Sequence, residues 1–239
     1  IKTSKINLLI ESQYRKLFDL GDLILESAFL PSSGNNSIKG FLKIKGNARL
    51  DQSTFLNVDT TLISDTSFLG KYGYDDRDRF LNSITFEKFS NRSSLQASTL
   101  YHTSLRDSNT LEPLVIPDLR YRKYRKFKRS GLLLSEKYSL VGISRRKGTG
   151  YSRLSADIEL SKSWQTENGL IVRGTGNVLT AGYRENNINN ERYLLKVYPL
   201  SALEFKYPLF RGGNNKSEVL IPVAQVVYSC LLYTSPSPR

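Results

Sequence analysis

The chain has no methionine, one cysteine, one histidine and one tryptophan among its 239 residues. Each shortage excludes something. A chain that opens on Ile1 and holds no Met has nowhere for translation to start, so it reads as an internal piece of a longer protein. The lone thiol, Cys230, begins "CLLYTSPSPR", a tail that resembles the conceptual translation of a sequencing adapter; residues 230–239 are therefore set apart as non-native, leaving 1–229 as the folding unit. Without that tail no disulfide or thiolate metal site can be built, and the formal charge falls from +13 by one Arg, to +12. With His102 the only imidazole, no nucleophile and base pair of fixed spacing can be assembled, so no enzyme and no cofactor are expected.

Long apolar runs are scarce too. The longest, "VLIPVAQVVY" from Val219 to Tyr228, carries Pro222 and falls far short of the roughly 20 residues a spanning helix needs. Helical periodicity is hard to find anywhere. Period-2 alternation recurs instead. In "RLSADIELSKSW", Leu154, Ala156, Ile158 and Leu160 fall on one side and Ser155, Asp157, Glu159 and Ser161 on the other, because successive strand side chains point to opposite faces. "GFLKIKGNARL" splits the same way, with Leu42, Ile44, Ala48 and Leu50 against Lys43, Lys45, Asn47 and Arg49. In "LQASTLYHTSL", Leu95, Ala97, Thr99, Tyr101 and Leu105 oppose Gln96, Ser98, His102 and Ser104.

Turn signals at 32–36, 90–93, 166–169 and 211–217 separate these runs, and about ten or more strands are expected. Short turns alternate with longer polar connections, such as Arg184 to Arg192, and the strands read as about 10 to 13 residues, enough to cross an outer membrane when tilted. The pattern fits an antiparallel up-and-down transmembrane β-barrel, seen in part; a soluble sandwich alternates as well and stays open at this point.

Other motifs carry bland readings. Asp75, Asp76 and Asp78 in "YGYDDRDRF" lack the glycine and terminal Glu of a calcium loop, so pairing with neighbouring arginines is expected. Gly174 and Gly176 lack the third glycine of a dinucleotide site and suggest a bulge or a close backbone approach. The sequons at Asn35, Asn91 and Asn215 matter only for a chain secreted from a eukaryotic cell.

"ISDTSFLGKYGYDDRDRFLNS" followed by "FEKFSNRS" resembles the barrel domain of the LptD family, also called OstA, of Gram-negative outer membranes. The likeness continues through "LYHTSLRDS", "PLVIPDLRY", "LEFKYPLF" and "IPVAQVV", from about Ile63 to Val227, with a weaker echo in "SAFLPSS". The resemblance implies a large barrel that takes lipopolysaccharide from a periplasmic bridge protein and inserts it into the outer leaflet, beside an outer-membrane lipoprotein plug of the LptE kind. It implies no covalent chemistry. The family's periplasmic jelly-roll domain, its disulfide cysteines and its first and last barrel strands are not seen in the sequence. Another outer-membrane barrel, a porin or receptor, and a soluble β-rich module for polyanions are the competing readings.

On the barrel reading, Leu154, Ala156, Ile158 and Leu160 face lipid, while Gln96, Ser98, His102, Ser155, Asp157 and Glu159 face the lumen. The basic run "RYRKYRKFKR" supplies Arg120, Arg122, Lys123, Arg125, Lys126, Lys128 and Arg129 as candidate contacts for glycolipid or other phosphate. A lipid-facing Arg or Lys at the midplane costs about 2 to 4 kcal/mol, so Lys123 to Arg129 belong at a rim or in a loop, with Tyr121 in an interfacial aromatic girdle. No nucleic-acid-binding module surrounds the run, and nucleic acid is not expected as a partner.

Overall fold

The computed structural model describes residues 8–30, 38–106, 112–187, 190–212, 216–230 and 232–233. The sheet opens with β1 (Ile10–Phe18), β2 (Gly21–Leu30), β3 (Lys39–Arg49) and β4 (Thr54–Ile63). A four-residue helix, α1 (Phe68–Lys71), precedes β5 (Arg79–Ser90), β6 (Ser93–Ser104), β7 (Leu114–Lys126) and β8 (Leu133–Ser144). The longest strands follow: β9 (Gly150–Gln165), β10 (Ile171–Asn187) and β11 (Asn190–Lys206). A small hairpin of β12 (Leu209–Gly212) and β13 (Ser217–Leu220) leads to β14 (Val223–Ser229) and β15 (Leu232–Tyr233).

Every neighbouring pair from β1 to β11 is antiparallel and in sequence order, and β14 closes the path on β11: an all-β, up-and-down open sheet, the form of a partial barrel. Two rims differ. Connections on one are all short, at 19–20, 50–53, 91–92, 127–132 and 166–170; those on the other are mixed, long at 31–38, 64–78 and 105–113 and short at 145–149 and 188–189. "LEFKYPLF" and "IPVAQVV" do form the late strand pair, through Phe205 opposite Ala224.

Some expectations need correcting. The polar stretch from Arg184 to Arg192 is not a long loop: β10 and β11 continue through it, pairing out to Asn187 and Asn190. Cross-strand hydrogen bonding satisfies the backbone there whatever the side chains, so polarity alone does not end a strand. Of the two readings of Gly174 the bulge fails, since the ladder is regular, while a close approach holds: the Trp164 indole lies over it so closely that a Cβ would meet the ring at 3.2 Å. The real bulge is at Ile116–Pro117, where the Ile116 carbonyl comes within 2.5 Å of where a Gly142 Cβ would stand. Leu105 lies past the end of β6. The turn signal at 32–36 and the sequons at Asn35 and Asn215 lie outside the described residues.

β4 and β5 pair only between residues 54–59 and 83–88 and then part. Asn82 fills the fork: its Oδ1 accepts the Thr61 N–H at 2.7 Å and its Nδ2 donates to Thr103 Oγ1 at 2.8 Å. The connection opened by this fork, 64–78, holds the most deeply buried large apolar side chains among the described residues, Phe68 and Leu69. Phe68 stacks on Tyr74 and contacts Phe41 of β3, and Tyr74 Oη donates to the Glu11 carboxylate of β1. A Lys39–Asp65 ion pair of 2.7 Å fastens the lobe's other end.

Candidate functional site

Residues directly opposite in an antiparallel pair share a face, so the register carries one face across the whole sheet. Starting from Leu154, Ala156, Ile158 and Leu160, the same face takes Leu134, Tyr138 and Leu140 on β8, Leu119 and Tyr121 on β7, and Leu95, Ala97, Thr99 and Tyr101 on β6. It continues through Ile84 and Phe86, Leu56 and Val58, Leu42 and Ile44, to Leu23 and Leu25. In the other direction it takes Val178, Leu195, Leu203 and Val226. This is the apolar face.

The opposite, polar face holds all six positions expected in the lumen: Gln96, Ser98, His102, Ser155, Asp157 and Glu159. Burial is inverted relative to a soluble protein. Leu154 is 61% exposed and Ile158 40%, whereas Ser98, Ser104, Asp118, Ser135 and Ser161 on the polar face are each exposed by 9% or less. Among the described residues no second sheet packs on the apolar face.

Hydrogen bonds and ion pairs lace the polar face from strand to strand. Glu26 takes Lys43 at 3.7 Å and Gln13 at 3.0 Å; Lys45 meets Asp59 at 3.5 Å. Lys137 donates to Asp157 at 2.9 Å, Asn177 donates to the same carboxylate, the Ser139 and Ser155 hydroxyls lie 2.7 Å apart, and Arg173 reaches Glu159 and Ser161. Such pairs leave the carboxylates neither bare nor free to coordinate a metal, and no metal-holding cluster of His, Cys, Asp or Glu occurs among the described residues. Within the Asp75 to Asp78 group, Asp75 pairs bidentately with Arg77 as expected, the guanidinium lowering its carboxyl, whereas Asp78 pairs with Arg106 instead of a neighbour.

The basic run does not form one surface. Lys123 and Arg125 point from the apolar face, Arg120, Arg122 and Lys126 from the polar face, and Lys128 and Arg129 sit in the 127–132 turn. Two are engaged: Arg120 with Asp118 at 2.9 Å, and Arg125 with Glu136 through bonds of 3.0 to 3.2 Å. The run lies at the short-turn rim, since Lys123 stands opposite Ser93 beside the 91–92 turn. It reaches that rim as strand rather than loop, because β7 extends to Lys126. Tyr121 is on the apolar face there, its ring 6.3 Å from that of Tyr138.

Single residues missed in the sequence complete the picture. Lys16, Lys88 and Lys162 also project from the apolar face, each close to a short turn, so with Lys123 and Arg125 they form a row of cations along that rim. Lys16 lies 4.8 Å from the Phe18 ring centroid and Lys162 5.4 Å from that of Trp164. From that row to Arg184 near the other rim, the described apolar face carries no Asp, Glu, His, Lys or Arg except Glu136, which is Arg125's partner. An uncharged band bounded by aromatics and snorkelling cations is what a bilayer selects.

Compared with known families, the sequence matches LptD, LPS transport system D, over residues 37–232. The chain belongs to the LptD family. No curated protein matches the sequence. The LptD assignment joins the inverted faces to a family of transport and assembly proteins rather than of enzymes. No helix among the described residues is long and apolar enough to cross a membrane.

Proposed function

We propose that this chain is part of the barrel through which lipopolysaccharide is carried and inserted into the outer leaflet of a Gram-negative outer membrane. The match to LptD over residues 37–232 carries the reading. The two faces support it physically. An apolar band whose one carboxylate among the described residues, Glu136, is paired with Arg125 meets acyl chains, and a face of paired charges and hydroxyls lines a wet lumen able to pass a glycan head. In this role Leu154, Ala156, Ile158 and Leu160 touch lipid, and Gln96, Ser98, His102, Ser155, Asp157 and Glu159 line the path. The short-turn rim faces the periplasm, the usual polarity of such barrels, and the cation row there pairs with inner-leaflet phosphates. A periplasmic bridge protein delivers the cargo and an outer-membrane lipoprotein fills the lumen.

Photocrosslinking in growing cells tests this. A photoreactive residue in place of Ser98, Ser155 or Glu159 is expected to yield lipopolysaccharide adducts, and one in place of Ile158 or Val178 bulk-lipid adducts. Polar-face positions that capture no lipopolysaccharide during envelope growth would refute the transport reading.

A further inference from the structure

At the rim away from the basic run, the polar ends of β9, β10 and β11 line a half-open cavity of about 840 Å³ that the ten residues of that run do not touch. Its wall holds four cations, Arg145, Arg153, Arg192 and Lys196, and a single carboxylate, Glu185, with Arg184 at its edge from the other face. Arg153 and Lys196 rise from the polar face of the strands, Arg192 from the start of β11 and Arg145 from the β8–β9 connection. Tyr151 and Tyr183 supply ring faces between them, with Lys196 Nζ 5.6 Å from the Tyr183 centroid.

These cations are arranged for something other than each other's relief. Among the described residues no ion pair ties Arg145, Arg153, Arg192 or Lys196 to a carboxylate, unlike the paired cations lower on the same face. Arg145 Nη1 spends one donor on the Thr149 carbonyl at 2.7 Å. Arg153 Nε is buried and has no acceptor among the described residues, a donor whose desolvation is left uncompensated until an anion arrives. Guanidinium forks suit tetrahedral oxyanions, and tyrosine rings suit the apolar faces of sugars. The volume is that of an ordinary small-ligand site, about 300–1,000 Å³.

We propose that this cavity binds a phosphorylated saccharide head, with Arg153 and Lys196 as the inner phosphate ligands and Arg192 and Arg145 as the outer ones. The inference rests on the transport reading for its source, a glycolipid arriving at the outward rim, and it adds a resting site just before release.

Calorimetric titration of the full chain refolded in dodecyl maltoside micelles tests it, with N-acetylglucosamine 1-phosphate as the probe and N-acetylglucosamine as its neutral, phosphate-free control. Binding of the phosphate sugar alone, weakened by salt, is expected. Arg153→Gln with Lys196→Gln should lower affinity about tenfold or more, each lost contact being a charge-assisted hydrogen bond. Arg192→Gln, at an exposed position, should lower it several-fold with the fold intact, and Lys71→Gln on α1 should leave it unchanged. Equal affinity for both sugars, no binding at all, or full affinity in Arg192→Gln and the double variant would overturn the proposal. Intact binding without photocrosslinks would support the cavity and sink the transport reading alone; crosslinks without binding would do the reverse.

Discussion

Asp157 and Ile158 adjoin in sequence and live in opposite chemistries. Asp157 takes hydrogen bonds from Lys137 and Asn177 of the two flanking strands. Ile158 stands 40% exposed, opposite Glu136 on one side and Val178 on the other, with nothing packed over it among the described residues. In a soluble sandwich the apolar member of such a pair would be the buried one. Here the polar face is the enclosed one, which teaches that the sheet is built for an apolar solvent outside and a wet interior.

The largest expected effect comes from breaking the apolar side. Leu154→Arg places a cation within the uncharged band, opposite Leu140 and Gly182, and should cost about 2–4 kcal/mol in a bilayer, against about 0–1 at the rim. Refolding yield into phosphatidylcholine vesicles, followed by heat-modifiable gel migration, should collapse for Leu154→Arg and stay near wild type for Lys162→Arg. Equal yields for the two would erase the distinction between band and rim.

Breaking the polar side is milder. Asp157→Ala leaves Lys137 and Asn177 without their shared acceptor and should cost about 1–3 kcal/mol in urea unfolding from micelles. Adding Lys137→Ala should recover part of that loss, because the stranded charge goes with it. Additive losses in the double variant would show that the network does not bind the strands together.

The smallest effect is confined to the 64–78 lobe. Its Asp65 carboxyl is held down to about 2 by hydrogen bonds from Lys39 and Ser67, from an ordinary 3.8. A depressed carboxylate stabilises the folded form above its unfolded value and loses that contribution as pH falls through the folded one. Protection of 64–78 in hydrogen exchange should therefore hold down to about pH 4 and fall toward pH 2, with the β9–β10 amides unmoved. In Asp65→Asn the lobe should be looser at neutral pH and flat across that window.

Much of this was legible before any coordinates. Strands such as Arg153–Trp164 and Gly40–Arg49 declare their faces by alternation alone, and the register then confirms that Gln96, Ser98 and His102 share a face with Ser155, Asp157 and Glu159. Three things were not legible. The ends of β10 and β11 look like loop because Arg184 to Arg192 is polar at both parities, and only the cross-strand pairing shows the strands reaching Asn187 and Asn190. The lobe around α1 was opaque because four residues of helix have no period, and its core joins Phe68 to Phe41 and Tyr74 to Glu11 across long stretches of chain. The cation row and the cavity are invisible in sequence because each contributes one residue per strand, and only pairing brings Lys88, Lys123 and Lys162, or Arg153, Arg192 and Lys196, alongside one another.

The most direct test of the inverted sheet is a nitroxide scan of residues 154–160 in a Cys230→Ser background, in lipid vesicles, reading collisions with oxygen and with a water-soluble nickel chelate. The account predicts strict alternation: labels at 154, 156, 158 and 160 reached by oxygen, and those at 155, 157 and 159 reached by nickel. Labels at the even positions shielded from both reagents would mean that the apolar face is packed against protein, and the membrane-barrel account would fall.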